Sequence, residues 1–254
     1  ADQLEGTLFQ NQEKLKLVTP CQDDAHVIHE YLVYRLYNLL TPKSFSARLV
    51  KVTYLDTVRN KTSDVNYGIL LEDEKEMAKR NASKPIKTKK LPKLGIPQED
   101  YLKMAVFQYM IGNTDWSVEY LQNIKLITED AKSLPVAVPY DFDHAGIVRA
   151  PYAHPAPQLR MQSTLERRYR GYCLQDMQKF ESIFEIFQSL KADIYGLYAD
   201  NPLLNEKYKK ETLSFLDDFF ETINDPERAR KAFTYPCDPS GTGNVVIRGM
   251  QNRD

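Results

Sequence analysis

Apolar positions recur with two different periods along the chain, and the changes of period mark its elements. Between residues 24 and 40, Ile28, Leu32, Leu36 and Leu40 fall four apart, which predicts one stripe down a helix, with Asp23 or Asp24 as its N-cap. Thr41-Pro42 ends that helix, because a residue before proline is pushed out of the helical region. Residues 15–19 (Leu-Lys-Leu-Val-Thr) read as a short strand stopped at Pro20. Residues 47–55 and 65–71 read as two more strands around the polar turn 57–64, a hairpin that the helix can cover. Helical spacing returns at 99–111 through Leu102, Val106 and Met110, and 123–127 and 135–138 then predict a strand pair around the turn 128–133. A Pro-rich loop at 149–157 leads to long amphipathic helices at 174–198 and 203–223 and a shorter one at 226–233.

Two segments break these patterns. Residues 77–97 carry Lys79, Arg80, Lys84, Lys87, Lys89, Lys90 and Lys93 with three prolines and no acidic residue. Like charges repel and prolines resist regular structure, so the expectation is a solvated linker, with a basic flap beside phosphates or an acidic substrate as the alternative. The end of the chain contains Pro236, Pro239, Gly241 and Gly243 and reads as loosely ordered. The predicted organisation is an α+β segment at 1–76, a basic connector at 77–98, a helical part with the strand pair at 99–234, and a tail at 235–254. No internal repeat is visible.

Size and charge narrow the picture. A chain of 254 residues buries a substantial core as one large domain or two small ones. With 34 basic and 35 acidic residues the net charge is −1, so no whole-chain field favours nucleic acid or an acidic membrane. No apolar run approaches the length of a membrane span. Cys21, Cys173 and Cys237 are too few and too scattered for a disulfide framework or a zinc site; one disulfide with a spare thiol and three buried thiols both fit. His26 and His29 lie three apart with no metal-binding motif around them. The chain starts Ala-Asp-Gln, which points to a removed leader or a truncation and leaves a secreted or envelope-associated location open.

The candidate chemistry is concentrated in 112–146. Gly112-Asn113-Thr114-Asp115 follows a helix, Asn123 stands at the start of the next strand, and Tyr140-Asp141-Phe142-Asp143-His144 follows the strand after that. Phosphoryl transfer needs a nucleophile aligned, phosphate charge neutralised, and one or two Mg²⁺ ions held by hard oxygen ligands. A hairpin turns the chain back, so an acid after its second strand can face an Asn before its first. Alternation puts Asp141 and Asp143 on one side and Phe142 on the other, as an anchor. Taken singly, Gly-Asn-Thr-Asp also makes a good helix stop and Asp-Phe-Asp-His a surface turn.

These residues resemble the catalytic core of atypical kinase-fold proteins, the spore-coat kinase CotH family and, more distantly, HipA-type kinases. Such families share a Gly-Asn-x-Asp-like catalytic loop, a downstream Asn, and an Asp-x-Asp element in place of the Asp-Phe-Gly of ordinary protein kinases. The order of the strand at 14–18, the helix at 26–40, the strand at 48–55 and the Tyr-Gly-Ile-Leu-Leu-Glu strand at 67–72 is similar too, so the resemblance covers about 14–146.

It implies a protein-kinase-like α+β fold, with a small, incomplete N-lobe and a larger helical C-lobe. It also implies ATP and Mg²⁺ as cofactors and a protein or small-molecule hydroxyl as acceptor. Asp115 would orient that hydroxyl, Asn123 and Asp141 would bind metal with Asp143 as a further acidic ligand, and Lys16 (or Lys14) would pair with Glu30 at the nucleotide phosphates. The sequence departs from the pattern in having no G-x-G-x-x-G loop and in its longer spacing between Asp115 and Asn123. A missing upstream segment explains the first departure, as does a kinase-like interaction module that never closes over ATP. A metal-dependent phosphoester hydrolase is the third reading of the same carboxylates.

Overall fold

A cap, a stripe and a stop produce the first helix as expected. The computed structural model describes residues 16–19, 23–88, 91, 95–243 and 245, and its α1 runs Asp24–Leu40. The Asp23 carboxylate accepts from the Ala25 and His26 amides, which satisfies two donors that no helical partner reaches. All four stripe residues are buried. Strand β1 (Lys16–Val18), β2 (Ala47–Val52) and β5 (Asn66–Leu71) form an antiparallel sheet in the order β1-β5-β2, and α1 packs on β2 and β5. The polar turn between β2 and β5 holds a small two-stranded ribbon, β3 (Leu55–Asp56) with β4 (Lys61–Thr62).

The basic stretch is not a solvated linker where it is described. Asp73 caps α2 (Glu74–Arg80), and Met77 and Ala78 on that helix are fully buried. Arg80 donates to Glu72 and to the carbonyls of Pro42 and Ser44, so its charge is paired against the fold's surface. Strand β6 (Lys84–Ile86) follows and pairs antiparallel with β7 (Ile124–Thr128), which in turn pairs with β8 (Val136–Pro139). Pro85 fits there because β6 is an edge strand. The composition was read correctly as basic, but a short capped helix with two buried residues outweighs it. Lys89, Lys90 and Lys93 lie outside the described residues, as does Lys14.

Helix α3 (Gln98–Met110) is buried almost all round and touches both β8 and α4 (Gln178–Ser189). The helix expected over 174–198 is two: α4 ends at Ser189 with Leu190 as its cap, and α5 (Lys191–Ala199) follows as a separate helix. The apolar stripe runs on without interruption, from Phe187 to Ile194 and Tyr198, so spacing alone does not show the break. The break lets α4 pack on α3 while α5 packs on α1 and α6 (Glu206–Asn224). Helix α7 (Pro226–Phe233), with Asp225 as cap and Pro at its first position, closes the fold, and one hydrophobic cluster runs through all these elements.

The tail is not loose up to Gly243. Cys173 and Cys237 form a disulfide across 64 residues, and Thr242 and Gly243 are buried. Cys21, residue 244 and residues 246–254 lie outside the described residues. The α+β class is therefore as predicted from the alternation of periods, with small antiparallel sheets and a larger helical share.

Candidate active site

Three turns place the candidate residues, and each turn uses a left-handed backbone. Gly112, at φ 68°, ends α3 and starts the loop to Asp115. Asn123, at φ 51°, precedes β7, and Asp141, at φ 63°, follows β8. Asn and Asp enter this region at lower cost than other non-glycine residues, because their short side chains bond to nearby backbone. The hairpin β7–β8 thus carries one such residue at each open end, and the Tyr140 amide donates to the Asn123 carbonyl at 3.0 Å.

Asp115 and Asn123 are in direct contact. Asn123 Nδ2 donates to Asp115 Oδ2 at 2.9 Å and to its carbonyl at 2.8 Å, and Gln122 Nε2 donates to Asp115 Oδ1. The Asp115 amide donates to Asn113 Oδ1 at 2.9 Å, fixing the loop from its other side. The extra residues between Asp115 and Asn123 form a tight turn, with Ser117 and Gln122 exchanging two backbone hydrogen bonds. That turn brings Gln122 onto Asp115, a contact the sequence reading did not anticipate. Its signal was the spacing itself, since eight residues leave room for a closed turn before Asn123.

Glu30 and the Asp141-Phe142-Asp143 element also meet. Glu30 is buried on α1, and its Oε1 accepts from the Phe142 amide at 3.3 Å. One turn on, the Tyr34 hydroxyl accepts from the Asp141 amide at 3.0 Å. Phe142 is fully buried between Tyr34 and Phe107, with ring centroids at 4.9 and 5.7 Å. Asp141 and Asp143, its neighbours in the chain, are half-buried. Burial, then the charges of Asp141 and Asp143, pushes the Glu30 carboxyl up to about 8. The Asp141 carboxyl is also raised, first by burial and then by Asp143, with Lys16 opposing and Asp115 adding to it.

Lys16 is exposed at the start of β1, with its Nζ 5.4 Å from the centre of the Tyr140 ring. Lys125, on β7, stands 5.2 Å from the same ring and pairs with Glu74 at 3.4 Å. Lys16 is close enough to oppose the upward shift of both Glu30 and Asp141. No ion pair joins Lys16 to Glu30 within 4.0 Å, and Glu30 holds the Phe142 amide instead.

Asp115, Asn123, Asp141, Asp143, Glu30 and Lys16 therefore face one region, assembled from α1, β1 and the two hairpin ends. No group of three or more His, Cys, Asp or Glu side chains arranged to hold a metal is found among the described residues. His29, the one buried imidazole among the described residues, stacks on Tyr208 at 3.5 Å and contacts the Val148 carbonyl, and burial lowers it to about 4. It acts as a packing residue. No family model matches the chain, and no curated protein or solved structure matches it either.

Proposed function

We propose that the protein is an ATP- and Mg²⁺-dependent phosphotransferase with a kinase-like fold, acting on a protein or small-molecule hydroxyl. The observation that carries this reading is the backbone amide of Phe142 held by Glu30 of α1, with Asp141 and Asp143 on either side and Asp115 bound to Asn123 nearby. The Asp141 carboxyl, raised by burial and by Asp143 beside it and opposed by Lys16 and His144, suits a site that gains a divalent cation. Mg²⁺ needs only one or two carboxylates beside phosphate oxygens and water, so Asp141, Asp143 and Oδ1 of Asn123 would be the residues that hold it. Nδ2 of Asn123 is committed to Asp115, which leaves Oδ1 for that role. When bound, the ion supplies neutralisation of phosphate charge.

The chain's own residues supply the rest. Asp115 accepts a hydrogen bond, and then the proton, from the acceptor hydroxyl, while Gln122 and Asn123 keep its carboxylate in one orientation. Lys16, beside the Tyr140 ring, is the residue that would hold the nucleotide phosphates. Glu30 and Tyr34 fix the backbone on which Asp141 and Asp143 stand. The Cys173–Cys237 disulfide fits an oxidising compartment.

The test is thermal denaturation with ATP and Mg²⁺. Ligand at about 100 times its Kd adds about 2.7 kcal/mol, a rise of roughly 5–10 °C for a chain of this size. Wild type shows the rise and Asp141→Ala does not. No rise in wild type at saturating nucleotide sinks the reading.

The unmade Lys16–Glu30 pair favours one alternative, a kinase-like interaction module that does not close on ATP. In that case Asp115→Asn leaves its function intact, while surface Tyr substitutions impair it.

A further inference from the structure

The loop that carries Asp115 is held from behind by Arg170, and Arg170 is held by the C-terminal segment. Arg170 Nη1 donates to the Thr114 carbonyl and, at 3.4 Å, to the Trp116 carbonyl, the residues flanking Asp115. Its Nη2 donates to the Val245 carbonyl at 3.2 Å. Two residues earlier, Arg168 Nη1 donates to the Leu159 carbonyl at 3.2 Å, to the Tyr235 hydroxyl at 2.9 Å and to Thr242 Oγ1. The Thr242 amide donates to the same Tyr235 hydroxyl at 3.0 Å. Three residues later, Cys173 is joined to Cys237. Residues 168–173 are thus fastened to residues 235–243 and Val245 at three points. The fold-back is close: a Cβ on Gly243 would lie 2.7 Å from Pro236 Cα.

We infer that the Cys173–Cys237 disulfide and residues 235–243 with Val245 form a clasp that positions the Asp115 loop through Arg170, so that opening the disulfide loosens that loop. Only the consequence for activity rests on the proposed phosphotransferase; the mechanical link does not. Arg170 is a positioning residue, since it touches the peptide groups around Asp115 rather than any reacting atom. A planar guanidinium reaches acceptors on two sides at once, which a lysine ammonium does not match. Cys173 is exposed, within reach of a soluble dithiol. The exchange is balanced: the S–S bond breaks, Cys173 and Cys237 each become a thiol, and the dithiol is oxidised to its own disulfide. Without the bridge, Thr242 and Val245 keep their hydrogen bonds to Arg168, Arg170, Tyr235 and the Leu159 carbonyl.

Amide hydrogen exchange on the full chain tests this, comparing the oxidised protein with the dithiothreitol-reduced protein, Gly243→Val and Arg170→Lys. Amides at 113–117 exchange roughly tenfold faster in all three, while in Gly243→Val and Arg170→Lys, which keep the disulfide, those of β2 and β5 keep their rates. Unchanged exchange at 113–117 after reduction overturns the clasp. If reduction accelerates the whole molecule, Gly243→Val decides, because it disturbs the fold-back and keeps the disulfide: local acceleration supports the clasp and none overturns it. In an active preparation, Arg170→Lys lowers kcat several-fold and leaves the KM for nucleotide unchanged; a change in KM alone overturns the positioning role. A wild type that binds no nucleotide removes the proposed function, and the exchange rates still decide the clasp.

Discussion

Glu30 shows how a single position changes meaning between sequence and fold. In the chain it is one acid on a helix, and the resemblance alone suggested a lysine partner for it. In the structure it is buried, held well above the usual carboxylate range by that burial, and bonded to the Phe142 amide. Its folded pKa, about 8, lies above the ordinary value of 4.5. The unfolded chain therefore releases this proton first as pH rises, and stability falls between those two values and levels off above the upper one. Glu30→Gln keeps the acceptor for Phe142 and removes the titration. The variant is expected to be more stable than wild type at pH 8, by an amount of the order of a few kcal/mol, and equal to it near pH 4. Urea denaturation at the two pH values checks this, and a wild-type-like pH slope in the variant would refute it. Asp115, Asn123 and Asp141 were legible as residue types in a spacing. Gln122 and Tyr34 were not, because a contact made by a turn or across the fold leaves no local period.

At the scale of elements, the site depends on how closely two loops approach. The Gly146 amide donates to the Gly112 carbonyl at 3.1 Å and the Ile147 amide to the Ile111 carbonyl at 3.0 Å, which ties the Asp143 segment to the loop before Asp115. A Cβ at Gly146 would meet the Thr164 carbonyl oxygen at 2.2 Å, a backbone atom that cannot swing aside. Gly146→Ala is expected to cost about 1–3 kcal/mol in denaturant unfolding and to weaken nucleotide-dependent stabilisation in proportion. A variant as stable as wild type would show that the two loops can part freely. The β7–β8 hairpin itself was readable, since two apolar runs flank a polar turn and an Asn or Asp stands at each open end. The bend at Leu190 was not, because one apolar stripe serves two different partners without a break in spacing.

At the scale of the molecule, the disulfide joins a point just before α4 to the end of α7. Closing a loop of 64 residues stabilises the fold by about 4 kcal/mol on the chain-entropy account. Reduction should therefore lower the urea midpoint clearly, and Cys237→Ser should reproduce that loss without reductant; a midpoint indifferent to reductant would deny the bridge a stabilising part. Three scattered cysteines could not reveal this pairing, since it depends on where the tail returns. The basic stretch taught the complementary lesson. Its charge pattern was plain, yet Asp73, Met77 and Ala78 were enough to make it a capped, half-buried helix.

By itself the sequence determined most of the local elements, because capping, periodicity and proline stops act over a few residues; α2, β6 and the division of α4 from α5 were not among them. It also fixed the α+β class and the concentration of polar chemistry in 112–146. Only the tertiary structure decided that Glu30 holds the Phe142 amide and that Gln122 and Asn123 hold Asp115. The same is true of the link from Arg170 to the C-terminal segment. These contacts join positions up to 112 residues apart, as Glu30 and Phe142 are. They follow from how buried surfaces meet, and no short-range pattern records that.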